Sequence, residues 1–564
     1  MLKKKNTYDA IVIGSGMAGG WAAKELCEKG LKTLVLERGR NVEHITDYKT
    51  AMQNPWEMEH HGRMPLDFKE KNPIISKCYA VDEATERLFL KDAEQVYAQD
   101  KPFDWIRGYQ VGGKSLLWAR QTQRWSKYDF EGPARDGFAV DWPIRYDDLE
   151  KWYTYVERFA GISGNKDGLE SLPDGDFLPP MELNAAEKHF QAQVAKNYKD
   201  RQIITGRCAH LTAPQKVHLD LGRGKCQHRD LCYRGCPFGA YFSSQSATLP
   251  AAARTKKMTL RSNSLVYSII YDEKAQKAKG VVVIDALTKE TTEYYAKIIF
   301  VTAGAINTNA LLLNSTSSRF PNGLGNDNGL LGKYVAFHNY RGVVTASLDG
   351  FEDHYYNGRR PNSPYVPRFR NVQKQETDFL RGYALSMGAS RANWARGSDG
   401  FGADLKNQLT EPGGWNIYVM GMGETIPKET NHIYLDKDKK DAYGLPTIHF
   451  DIAYDDNDEK MLKDFFQQAS EMLDSSGFKN IAQKDSHQAP GLDIHEMGGC
   501  RMGRDPKTSL LNEWNQLHAC KNVFVTDGAA MTSVSTQNPS LTFMALTARA
   551  ADYAVKALRK REMG

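Results

Sequence analysis

The sequence predicts an α/β chain, α+β over its full length, in which a Rossmann-like dinucleotide domain is interleaved with a substrate domain built on an antiparallel sheet. Three observations predict it. A strand, a glycine turn, a helix and a second strand open the chain. Strand-then-helix blocks of similar form recur near residues 260–314 and 523–558. The stretches between are rich in Tyr, Trp, Asn and polar alternation, with no repeat and no low-complexity linker. The first domain is therefore expected over 1–145, 201–331 and 491–564, and the second over 146–200 and 332–490.

Residues 8–13 form a short apolar run that predicts a buried strand, 17–29 carry Ala and Leu along one helical side, and 32–37 predict a second strand. Farther along, 265–271 and 280–285 alternate as strands, and 298–301 is a continuous apolar strand followed by a helix from about 307 to 313. In the last block, strand 523–525 leads into Thr526-Asp527-Gly528, and a long helix follows from Pro539 to about Leu558.

Between the first strand and helix, Gly14, Gly16 and Gly19 satisfy G-x-G-x-x-G. In that setting backbone amides and the helix N-terminus hold a pyrophosphate. Alone, the same pattern is also a helix-packing motif. Glu37 ends the second strand 18 residues beyond Gly19. A carboxylate there accepts a hydrogen bond from a ribose 2′-hydroxyl and repels a 2′-phosphate, which favours FAD or NAD over NADP.

At 564 residues the chain exceeds one compact core and suits two joined domains. Lys plus Arg number 74 against 69 Asp plus Glu, with the signs interspersed, so no nucleic-acid footprint is present. Lys3-Lys4-Lys5 and the apolar run after Ala10 imitate a signal peptide, but cleavage behind that run would remove the glycine motif, so no signal peptide is expected. No apolar stretch reaches the roughly 18 residues of a spanning helix, and direct membrane insertion is not expected. Of eight cysteines, Cys27, Cys78, Cys208, Cys500 and Cys520 are scattered and suit apolar packing.

Cys226, Cys232 and Cys236 lie within 11 residues, with Pro237 after the last. Three thiolates from one loop suit a soft metal or an iron-sulfur cluster. Zinc would want a fourth ligand, for which His228 or Cys208 is available, and a disulfide would leave one thiol unpaired.

Five motifs in order bring FAD forward: the opening glycines, Glu37-Arg38-Gly39, the paired-glycine loop around Gly112-Gly113-Lys114-Ser115, the segment His495-Glu496-Met497-Gly498-Gly499, and Asn538-Pro539-Ser540. Together they resemble the glucose-methanol-choline (GMC) oxidoreductases over nearly the whole chain, and most of all the sugar-oxidising branch that includes pyranose oxidases, bacterial FAD glucose dehydrogenases and glucoside 3-dehydrogenases. The resemblance implies an FAD-binding domain of pyranose oxidase-like architecture. It also implies that Arg38, Gly112, Gly113, Ser115, Val266, Asp527, Gly528 and Pro539 join Gly14, Gly16, Gly19 and Glu37 at the cofactor. His495 and Asn538 match the family's catalytic His and its His-or-Asn partner: a base for the substrate hydroxyl and a donor that holds its oxygen. Read by itself, Asn538 is an N-cap with Pro539 at the first helical position, and that helix would place its positive end at the flavin. His338 also falls in a family-like segment, where a structural role is expected. Pyranose oxidases carry a flavin-linking His where this chain has Leu117, so FAD is expected to bind non-covalently.

The cysteine spacing resembles the loop that carries a 3Fe-4S cluster in the bacterial dehydrogenases. The resemblance implies a dehydrogenase that oxidises a pyranose ring hydroxyl of a sugar or glycoside, with C3 as the expected carbon. Hydride would pass to flavin N5 and electrons would leave through the cluster. It further implies a small subunit and a cytochrome-type acceptor, and residence in the periplasm by co-export with that subunit, or in the cytoplasm. Two other readings stand beside this one: an oxygen-using pyranose or glycoside oxidase with a structural cysteine loop, and a non-catalytic flavoprotein that only transfers electrons. Trp394, Trp415, Asn416, Tyr418 and Asn431 are candidates to stack on a sugar, or simply to pack the second domain's sheet.

Overall fold

The computed structural model describes residues 6–354, 362–392 and 401–563; Trp394 lies outside them. The first domain is built on β1 (Thr7–Ile13), α1 (Met17–Glu28), β2 (Thr33–Leu36), β3 (Met258–Arg261), β4 (Ser264–Asp272), β5 (Lys277–Asp285), β6 (Thr291–Val301), α2 (Ala305–Asn314), β7 (Cys520–Val525) and α3 (Ser540–Lys560). Five strands run parallel in the order β7-β6-β1-β2-β3. Ala10 to Ile13 and Ile298 to Val301 pair in register and are buried, as strands covered on both faces must be. β4 and β5 form an antiparallel meander on β6. Chain order reverses between β1 and β6, so their carboxyl ends, at Gly14 and Thr302, open the crevice where such sheets bind ligands.

The helix Tyr146–Ala160 was expected in the second domain, yet Leu149, Tyr153 and Val156 share one core with Trp21 of α1 and Leu541 of α3. Their spacing of four and three makes a stripe along one helical face, and the Tyr153 hydroxyl meets Thr542 Oγ1 at 2.9 Å. Helix Ala185–Asn197, in contrast, packs Phe190 and Val194 into the core of the second sheet. The stretch 146–200 thus divides between the two cores.

Among the described residues that second sheet has seven strands. Lys479–Asp485, Gly342–Leu348, Trp415–Glu424, Tyr383–Arg391, Pro364–Val366 and Ile204–Thr205 follow one another antiparallel, with His338–Asn339 on the flank of Trp415–Glu424. Met461, Phe465 and Met472 of helix Asp456–Ser475 pack in its core. Trp415 is buried in that core. The Asn431 side chain is tied to Ala453 by two hydrogen bonds of 3.1 Å. Asn416 and Tyr418 line a shallow depression that shares no residue with the nucleotide crevice. Trp415 therefore packs the second sheet, Asn416 and Tyr418 lie on it away from the crevice, and Asn431 braces the chain before strand His432–Lys440.

A third sheet joins distant segments in the order Met497–Gly499, Lys333–Ala336, His432–Lys440, Pro446–Asp451, Ala98–Gln99. Met497 pairs antiparallel with Ala336. Continuing that register by two residues sets His495 opposite His338.

Candidate active site

Gly14 ends β1 at φ +94°, and a Cβ on it would stand 2.5 Å from the Thr302 carbonyl oxygen. A Cβ on Gly19 would stand 2.0 Å from the Gly14 oxygen, so Gly19 lets α1 pack against the turn. Gly16 differs: nothing nearer than the Gly112 oxygen at 4.0 Å would meet a Cβ there. The space over Gly16 is the opening of a long cleft.

Glu37 closes this turn. Its Oε2 accepts from the Ser15 hydroxyl (2.6 Å) and backbone N–H (3.1 Å), and Oε1 accepts from the Gly39 N–H (2.9 Å). Burial pushes its pKa above the usual carboxylate value against these three bonds. Ser15 Oγ also accepts from the Gly112 N–H at 3.0 Å, and Ser115 Oγ accepts from the Ser244 N–H at 3.0 Å. The paired-glycine loop is thereby fastened to the opening motif. The Arg38 guanidinium lies 4.4 Å from the Tyr109 ring centre.

At the end of β7, Asp527 accepts from Gly304 N–H (2.9 Å), Thr308 hydroxyl (2.6 Å) and Ala529 N–H (3.0 Å). Burial raises its pKa to about 6. One cleft is lined by Gly14, Gly16, Glu37, Arg38, Gly113, Ser115, Val266, Asp527, Gly528, His495, Asn538 and Pro539. Gly19 and Gly112 do not line it; they shape it from behind. Leu117 lines the wall and offers no atom for a flavin bond. An elongated cleft running from open glycines at a helix N-terminus to a histidine fits FAD with respect to both shape and donors.

At the far end, Asn538 Nδ2 stands 3.5 Å from His495 Nε2. The N-cap of α3 is Pro539, not Asn538, and no side chain caps this helix. The amide is thus turned to the histidine and not to the helix. His495 Nδ1 lies 2.8 Å from His338 Nδ1, and His338 Nε2 is 3.0 Å from the Ser535 carbonyl oxygen. Burial, then the neighbouring His338 and Lys114, hold the His495 pKa well below its ordinary value. Burial lowers His338 to about 4.

Lys114, paired to Glu496 at 2.7 Å, and Asp493 also line the cleft. Burial raises Asp493 to about 7. These three were missed from sequence: Lys114 and Glu496 sit inside quoted motifs, but nothing local marks them as a pair. His338, Asp493 and His495 present ligand atoms within 4.8 Å of one another. The two Nδ1 atoms, however, face each other at hydrogen-bond distance, closer than the roughly 3.3 Å expected of two nitrogens flanking one zinc.

Cys226, Cys232 and Cys236 are half-buried and form no disulfide. Burial and its two fellow thiols push Cys226 up to about 11. Among the described residues, the three sulfurs do not all lie within 4.8 Å of one another. His210, missed from sequence, bridges the region, with Nδ1 3.3 Å from Cys208 Sγ and Nε2 3.7 Å from Cys232 Sγ. A small pocket holds Cys226, His228 and Cys232 together with Ala119 and Arg120, and those last two also line the main cleft.

Among the described residues no helix is long and apolar enough to cross a membrane. The chain is 28% identical to 2-methyl-1,2-propanediol dehydrogenase of Mycolicibacterium austroafricanum over 98% of its own length and 96% of that protein. It is 25% identical to the fructose dehydrogenase large subunit of Gluconobacter japonicus, covering 98% of each. In fold it is similar to formate oxidase of Aspergillus oryzae, with a TM-score of 0.63 at 14% identity over 99% of both chains. Family models for the N-terminal and C-terminal parts of GMC oxidoreductases match residues 8–338 and 427–547, and the chain belongs to that family.

Proposed function

We propose that this protein is an FAD-dependent dehydrogenase that oxidises a CH–OH group of a sugar or glycoside, a pyranose ring hydroxyl at C3 being the specific expectation. The observation that carries the reading is the His495–Asn538 pair at the end of the nucleotide cleft. FAD, bound without a covalent link, supplies a two-electron acceptor for hydride at N5. The chain's own groups do the rest. Gly14, Gly16 and the N-terminus of α1 would hold the pyrophosphate, while Glu37 would take the ribose hydroxyl. His495 takes the proton of the substrate hydroxyl at Nε2, and the Asn538 amide holds the oxygen as carbonyl character develops. The low pKa of His495 supports this role, since a base must be neutral to act. A sugar is supported by the likeness to a fructose dehydrogenase large subunit, a name that also supports a partner subunit.

Cys226, Cys232 and Cys236 would hold a 3Fe-4S cluster, which would supply a one-electron relay toward a cytochrome-type acceptor. Three free thiols carried on one loop support this, since thiolates are the ligands of iron-sulfur clusters. The shared walls at Ala119 and Arg120 put the cysteine pocket next to the flavin cleft. Anaerobic titration with glucose and alkyl glucosides, following flavin and cluster absorbance and identifying the ketone by NMR, tests the reading. Bleaching with none of them, or an iron- and sulfide-free protein, removes the corresponding half. Hydrogen peroxide formed at turnover rate without an added acceptor points to the oxidase instead.

A further inference from the structure

We infer that His338 is a positioning residue that fixes His495 in the Nδ1–H form, leaving Nε2 bare toward the substrate. This rests on the proposed role of His495 as base. The deduction starts at Ser535, whose backbone carbonyl has no hydrogen to give. His338 Nε2, 3.0 Å from it, must therefore donate. A neutral imidazole carries one N–H, so His338 Nδ1 is an acceptor. His495 Nδ1, 2.8 Å away, must then donate to it. If His495 is neutral, its Nε2 holds a lone pair, and that is the nitrogen facing Asn538.

The surroundings hold the chain of bonds in this direction. His338 is fully buried, and its own backbone N–H is taken by Asp493 Oδ2 at 2.9 Å. Ser535 is also fully buried and sits at φ +64°, a conformation that costs energy for a residue with a Cβ. Its hydroxyl is anchored on Asp129 Oδ1 at 2.9 Å. A strained, anchored carbonyl aimed at one nitrogen has a clear use when that nitrogen must stay protonated. The other ionisable groups near the pair are Asp493, Lys114 and Glu496. Asp493 Oδ2 is engaged by the His338 backbone, and Lys114 is engaged by Glu496. None of these bonds reaches either histidine ring.

In the reaction the substrate O–H bond breaks and a bond forms from that proton to His495 Nε2. The ring becomes cationic, and its Nδ1–H bond to neutral His338 strengthens at that moment. His338 would thus orient the base before proton transfer and stabilise it afterwards, without touching substrate.

The direct test is 15N NMR of histidine-labelled, FAD-loaded protein, with His495 assigned by its absence in His495→Asn. The inference expects a protonated-nitrogen shift at Nδ1 and a bare-nitrogen shift at Nε2; the reverse pattern overturns it. The tautomer is read in the resting protein, so it stands or falls apart from any failure of substrate oxidation. Kinetics give the second test. His338→Leu, which cannot accept, should slow flavin reduction about 10- to 10²-fold at unchanged FAD content and substrate affinity. His338→Gln, whose amide oxygen can accept, should recover most of the rate. Equal rates in His338→Leu and wild type, or equal loss in the Leu and Gln variants, count against positioning and for packing.

Discussion

Ser15 and Glu37 are joined twice, by the hydroxyl at 2.6 Å and the backbone N–H at 3.1 Å, both onto the same carboxylate oxygen. Glu37 therefore ties the end of β2 to the glycine turn as well as lining the cleft. Glu37→Ala would leave the Ser15 and Gly39 N–H groups unpaired in a buried place, each worth about 1–3 kcal/mol. FAD affinity should fall by about 10-fold or more, measured by flavin release on dilution, while Glu37→Gln keeps part of it. An unchanged dissociation constant in the Ala variant would contradict the tie.

Two glycines of one motif should respond in opposite ways. Gly19→Ala drives a Cβ to 2.0 Å from the Gly14 oxygen, so the apo-protein should lose about 1–3 kcal/mol or more. Gly16→Ala meets nothing nearer than 4.0 Å, so the apo-protein should melt as wild type. Its new methyl would enter the cleft at the proposed pyrophosphate site, and FAD retention should fail. Melting curves with and without FAD separate the two. Equal destabilisation of both apo-proteins would remove the distinction between packing and ligand glycine.

His495 is the expected base, and His495→Ala should slow anaerobic flavin reduction by about 10² to 10⁴. Its pH behaviour follows from sign. The active form is neutral, and burial lowers the pKa well below 6.5. The rate should hold steady as pH falls from 8 to the ordinary histidine value near 6.5 and decline only below it. His338 and Asp493 titrate in the same cluster, with values of about 4 and 7, so an acid limb reports the group as a whole. Asp493→Asn separates them: a limb that stays below 6.5 in this variant belongs to the histidines. A loss of rate already complete at pH 7 in wild type would rule out His495 as a base held neutral.

Much of the nucleotide half could be read from sequence because its signals are local. Gly14, Gly16, Gly19 and Glu37 sit within one βαβ unit, and apolar runs such as Ile298 to Val301 mark buried strands without any partner known. What stayed hidden depends on pairing over long distance. His338 and His495 are 157 residues apart, and only the Met497–Ala336 register brings them together. The helix Tyr146–Ala160 was misplaced for a similar reason: its apolar stripe shows that it packs, not against which sheet. Trp415 belongs to the second sheet's core and Asn431 braces the turn before strand His432–Lys440, because burial and backbone partners claim them, which composition does not reveal.

The cysteine loop gives the last prediction. Cys226, Cys232 and Cys236 lie close enough for Cys226 to feel both other thiols. If they hold a cluster, Cys232→Ser should lower bound iron and sulfide and slow the passage of electrons to a one-electron acceptor such as cytochrome c. Reduction of the flavin by sugar should persist, because His495 and Asn538 lie in the other cleft. Stopped-flow reduction, iron analysis and acceptor assays on one preparation give the three readings. The split between intact first half-reaction and failed second is the signature of a relay. A variant that loses flavin reduction in equal measure would make the loop structural, and one that keeps every rate would leave the thiols outside the electron path. Arg120 offers an internal check. Its guanidinium is buried and lines the same small pocket as Cys226 and Cys232, a fixed positive charge beside the thiols. Arg120→Met should strip that charge and lower the cluster's retention more than Arg120→Lys does.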